Sequence, residues 1–145
     1  MCWTLYVSTP IKLPLIEWDS KQPRFNARKL KDDELAIVSR FTMPEVVYVG
    51  SDQGCGCGFR HALIADKEWY PIVEEDNDMI EVIQKNHEDL YQYLTDNVKI
   101  GLIEVYGCWN GNITDSIDCV DEISIKDLTD KDFYFKEGWL YKVLV

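Results

Sequence analysis

Basic residues are scarce in this chain: 15 lysines and arginines stand against 26 aspartates and glutamates, a net charge of -11 over 145 residues. A field of that sign repels phosphate backbones and anionic lipid alike, so neither nucleic acid nor a membrane surface is expected as a partner. Long apolar runs are missing, and the opening Met1-Cys2-Trp3-Thr4-Leu5-Tyr6 has neither the basic start nor the extended apolar core of a signal peptide. A cytoplasmic location is the expectation. Histidine is nearly absent, with only His61 and His87. Five cysteines make no even disulfide framework, so in a reducing compartment they are free thiols, metal ligands or redox groups. Proline is confined to positions 10, 14, 23, 44 and 71, which makes the first half rich in loops and leaves the second half to regular elements.

No internal repeat or low-complexity tract divides the chain, and its length suits a single domain over residues 1–145 that buries its own core. Residues 3–8 predict a strand, 25–30 a second, and 46–50 a third. Asp32 and Asp33 precede Leu35, Ile37, Val38 and Phe41, a short helical pattern with acids where the helix dipole favours them. The strongest periodicity is Ile80, Ile83, His87, Leu90 and Leu94, which predicts a helix from Asp78 to Asp96. Asp78 with Glu81 three residues on resembles a capping box. Residues 100–107 then predict a central strand, and Asn110-Gly111 a tight hairpin returning it antiparallel. Residues 120–125, 133–135 and 139–145 complete a strand-rich last third, the final two joined across Glu137-Gly138. The expected fold is α+β, a mixed or mostly antiparallel sheet with one long and one short helix packed on it.

The chemistry concentrates in Gly50-Ser51-Asp52-Gln53-Gly54-Cys55-Gly56-Cys57-Gly58-Phe59, which holds four of the eight glycines and two of the five cysteines. In an extended conformation the alternation sets Cys55, Cys57 and Phe59 on one face and leaves the other bare, open to close approach by a neighbouring backbone or ring. One reading is a packed strand whose cysteines behave as small hydrophobes. A second uses the turn itself, with Ser51, Asp52, Gln53 and the backbone of Gly54, Gly56 and Gly58 presenting N–H groups to a small molecule or anion. The spacing of the glycines matches neither the dinucleotide fingerprint nor the Walker A loop, so a nucleotide is not implied and no cofactor is assigned.

The alternative uses the sulfurs, either as a redox pair or as metal ligands. Cys55, Cys57 and His61 lie within seven residues and supply three soft or borderline ligands, and a fourth must come from Cys2, Cys108 or Cys119. A disulfide across one intervening residue is strained, which makes the pair a labile switch and not a staple. His87, on the apolar side of its helix, reads as a hydrogen-bonded core histidine. Asp115, Asp118, Asp121 and Glu122 lack the calcium-loop pattern and read as a solvated face. Whether the chain is an enzyme is not legible in these residues.

The Met1-Cys2-Trp3-Thr4-Leu5-Tyr6 opening, together with Val47-Tyr48-Val49-Gly50-Ser51 and the Gly54 to Phe59 run, resembles a family of small uncharacterised bacterial proteins. That resemblance spans most of the chain. It implies no activity and carries no functional residue with it.

Overall fold

The computed structural model describes residues 2–60 and 77–145. Six strands and one long helix follow each other as β1 (Trp3–Thr9), β2 (Asn26–Arg28), β3 (Glu45–Gly50), α1 (Asn77–Asn97), β4 (Leu102–Trp109), β5 (Cys119–Ser124) and β6 (Trp139–Leu144). The strands make one mixed sheet in the order β2-β3-β1-β4-β6-β5, in which only β5 and β6 run parallel. This is the expected α+β architecture. Asp32–Arg40 forms the expected short helix as a 3₁₀ segment, with Asp32, Asp33 and Glu34 in its first turn.

Period-two alternation decides which side chain faces where. Trp3, Leu5 and Val7 of β1, Val47 and Val49 of β3, Ile103 and Val105 of β4, and Tyr141 and Val143 of β6 share one core with Leu90, Tyr93 and Leu94 of α1. Leu90 and Leu94 have no exposed surface, and each buried leucine contributes about 1.5–3 kcal/mol. The other face carries Tyr6, Tyr48, Tyr106, Cys108 and Leu140, closed over by Ile37 of the 3₁₀ segment. His87 binds α1 to its surroundings as a core histidine. Its Nδ1 lies 2.9 Å from the Leu128 carbonyl oxygen and its Nε2 2.8 Å from that of Phe59. No helix among the described residues is long and apolar enough to cross a membrane.

Several local expectations are corrected. Asp78 is the second residue of α1, so the Asp78/Glu81 pair sits inside the first turn and does not cap it. Ile100 is 85% exposed and β4 starts two residues later. The chain does not form a hairpin at Asn110-Gly111: residues 110–112 make a 3₁₀ turn, and Gly111 is not among the positive-φ glycines that a type I′ turn demands. The place beside β4 goes to β6, with Tyr106 opposite Leu140, and β5 is left on the sheet edge. Residues 133–135 form no strand. The Phe133 and Phe135 rings instead pack edge-on against Tyr141, where their area fills the core.

Candidate functional site

The segment after β3 is coiled, not extended, because Ser51 gathers it around one buried hydroxyl. Ser51 Oγ donates to the Cys55 carbonyl at 2.7 Å and accepts the N–H groups of Gly58 at 3.0 Å and Gln53 at 3.3 Å. The Ser51 N–H also reaches the Cys55 carbonyl, and the Gly54 N–H reaches the Ser51 carbonyl. Asn86 of α1 holds the segment from outside, donating to Asp52 Oδ1 at 2.9 Å and to the Gly58 carbonyl at 3.0 Å while accepting the Asp52 N–H. Gly56–Phe59 then winds into a 3₁₀ turn. The close approach expected of a bare residue is present at Gly56. A Cβ there would stand 2.9 Å from the Trp3 carbonyl oxygen and 3.0 Å from the Leu5 nitrogen, against β1 itself.

These bonds bear on the anion reading of Ser51, Asp52, Gln53, Gly54, Gly56 and Gly58. The N–H groups of Ser51, Asp52, Gln53, Gly54 and Gly58 are all directed into the protein. A loop whose donors point inward offers an anion little.

The sulfurs behave differently. Because the turn coils, Cys55 and Cys57 face the start of β1, where Cys2 projects, and the Sγ atoms of Cys2, Cys55 and Cys57 all lie within 4.8 Å of one another. Cys2 is exposed and the other two are half-buried. One backbone group already points at sulfur: the Trp3 N–H donates to Cys57 Sγ at 3.2 Å. Burial pushes the Cys55 thiol up to about 12, against a smaller opposing pull from the Cys57 backbone, so without a bound ion it holds its proton. Burial, and after it the neighbouring Cys55, also push the Tyr48 phenol up to about 12. Cys2 and Cys55 open onto a cavity of ≈ 280 Å³ whose walls include Tyr48, Arg28 and Lys31. Cys57 also packs against the main core, as the hydrophobe reading expects.

Of the three cysteines eligible to complete a ligand set, the fold brings in Cys2 alone. Cys108 is buried with its sulfur 3.5 Å from Thr4 Oγ1, and Cys119 starts β5 at the far side of the sheet. His61 lies outside the described residues. Sequence reasoning counted Cys2 among the candidates but had no means of ranking it, since its partners sit on a segment more than fifty residues away. Comparison of the chain with protein-family models, with curated proteins and with solved structures gives no match.

Proposed function

We propose that the chain binds one thiophilic metal ion, Zn²⁺ or Cu⁺, through Cys2, Cys55 and Cys57. The observation that carries this reading is the convergence of three sulfurs from two distant segments on one point. Sulfurs around zinc at about 2.3 Å stand about 3.8 Å apart, so small rotations of the side chains close the triangle. Thiolate ligands select Zn²⁺ and Cu⁺ over hard cations, and the Trp3 N–H directed at the Cys57 sulfur helps to stabilise the charge that three thiolates bring. Of the three stretches that carry the resemblance to the small bacterial family, residues 1–6, 47–51 and 54–59, the first and last supply the three sulfurs. Three protein ligands leave a coordination position for a fourth group.

The test is anaerobic titration of the reduced protein with Zn²⁺, Cu⁺ and, as a coloured substitute, Co²⁺. One equivalent binds, Co²⁺ shows sulfur-to-metal charge transfer, and Cys2→Ser, Cys55→Ser and Cys57→Ser each weaken binding by about 10–100-fold or more. Cys108→Ser and Cys119→Ser leave it unchanged. Because each thiol loses its proton to the ion, affinity rises with pH. Failure to bind any of the three ions, or binding indifferent to Cys2→Ser, defeats the proposal. Reversible oxidation of Cys55 and Cys57 in a protein that binds no metal replaces it with the thiol-disulfide reading.

A further inference from the structure

At the β5–β6 edge of the sheet, a second cavity of ≈ 290 Å³ is built from side chains that the proposed metal site does not use. Its floor follows from strand register. In the parallel pair β5–β6, Asp121 stands opposite Tyr141 and Cys119 opposite Trp139, so Asp121, Trp139 and Tyr141 share one face. Phe133 closes a side, its ring edge-on to Tyr141 at 5.7 Å between centroids, and Trp139 leans over Tyr141 at 6.2 Å and 31°. Asp127 and Asp130, in and just after the 3₁₀ turn Ile125–Thr129, add two carboxylates to the rim.

Aromatic faces carry negative quadrupole potential, and carboxylates beside them add charge of the same sign. The cavity therefore has walls suited to a cation with a diffuse, apolar surface. One cation is already drawn to them: Lys136 Nζ sits 4.2 Å from the centroid of the Trp139 ring. Lys136 is itself exposed, and its backbone N–H is fixed by the Tyr141 hydroxyl at 2.9 Å, so its side chain can swing away without loosening the chain beneath it. Asp127 spends one oxygen on the Ser124 N–H and Asp130 one on the Asp132 N–H, which leaves Asp121 as the carboxylate beside Tyr141 with least other work.

We infer that the cavity bounded by Phe133, Trp139, Tyr141 and Asp121 binds an alkylated ammonium group, with the Lys136 ammonium as its internal competitor. A methylated cation is favoured over a primary one because it is cheaper to strip of water and meets aromatic rings over its whole surface. The site is independent of the cysteines.

Its test is equilibrium titration with choline, with its neutral isostere 3,3-dimethylbutanol, and with a short peptide carrying trimethyllysine, followed through the Trp139 indole N–H resonance assigned by its loss in Trp139→Phe. Choline or the peptide shifts that resonance saturably and the isostere binds about tenfold more weakly, the difference that a desolvated cation–π contact makes. Which of the two cations binds tells a free metabolite from a modified polypeptide. Lys136→Met, at an exposed position, tightens the cation by several-fold. Asp121→Asn weakens it without disturbing the sheet, and so stands in should Trp139→Ala fail to fold. Equal binding of choline and the isostere, or no shift with either cation in both the wild type and Lys136→Met, overturns the inference.

Discussion

The two faces of the sheet are both buried, yet they are built by different means. Towards α1 the contacts are apolar almost throughout, with Leu5, Val7, Val49, Ile103, Val105 and Val143 meeting Leu90 and Leu94 without exposed surface. Towards the 3₁₀ segment the buried positions include Thr4, Ser8, Glu34 and Glu104 beside the tyrosines. Glu34 and one oxygen of Glu104 have named partners there, while Glu104 Oε2 and the Tyr106 hydroxyl have none among the described residues. Glu34 takes both arms of the Arg28 guanidinium, the Tyr6 hydroxyl at 2.9 Å and the Lys31 N–H, while Glu104 Oε1 takes the N–H and hydroxyl of Thr42. Arg28 also stacks on Tyr48, 3.7 Å from its centroid. One face holds by area, the other by geometry. Area tolerates exchange of one hydrophobe for another of like volume, whereas a network of this kind is intact or costly. It is on the networked side that Cys2, Cys55, Tyr48 and Arg28 share a cavity.

The contrast is sharpest under truncation. Leu94→Ala opens a void at the centre of the apolar face and is expected to lower stability by about 2–5 kcal/mol, seen in chemical denaturation as a shifted midpoint with an unchanged slope. Glu34→Ala leaves the Tyr6 hydroxyl and the Arg28 fork without their shared acceptor. About 1–3 kcal/mol is expected, less than for a fully enclosed pair because the Arg28 side chain keeps 34% of its surface in water. If Glu34→Ala costs nothing while Leu94→Ala costs the full amount, the network is ornamental and the contrast between the faces fails.

The smallest effect is acidity, since protonation leaves the Glu34 carboxyl in place. Burial opposes its ionisation, but Arg28, the Lys31 N–H and the Tyr6 hydroxyl outweigh that and hold the carboxyl below its ordinary 4.5. With the folded value depressed, the unfolded chain takes up the proton first. The stabilisation is therefore complete above the ordinary value and lost as pH falls through the folded one. Denaturation at pH 5 and pH 3 should show a smaller loss for Glu34→Gln than for the wild type. An equal loss in both would mean that other carboxylates account for acid sensitivity.

Helical periodicity makes α1 legible in the sequence, because Ile83, His87, Leu90 and Leu94 answer to a pattern written within twelve residues. The strands were legible for the same reason, as elements. Their partners were not. Nothing near Asn110-Gly111 indicates that β6, some thirty residues on, takes the place beside β4, and a turn signal is local while strand pairing is a contest among distant segments. The sulfur cluster shows both halves of this. Cys55 and Cys57 advertise themselves among glycines, whereas Cys2 joins them only because Gly56 lets β1 lie against the turn. Ser51, a ligand candidate in the sequence, is occupied in folding the turn that carries Cys55 and Cys57.

The first strand of the chain is also the middle of the sheet, and this sets the order in which the molecule can be made. Thr4 meets Cys108 at a sequence separation of 104, and Trp3 meets Cys57 at one of 54. Contacts of such span are reached only after long loops have closed, which places a chain of this topology among the slow folders, on the scale of milliseconds to seconds. Until β1 is seated Cys2 is a stranger to the other two sulfurs. On the proposal that all three hold one ion, capture follows that step, and a captured ion would hold the molecule on the far side of it by mass action.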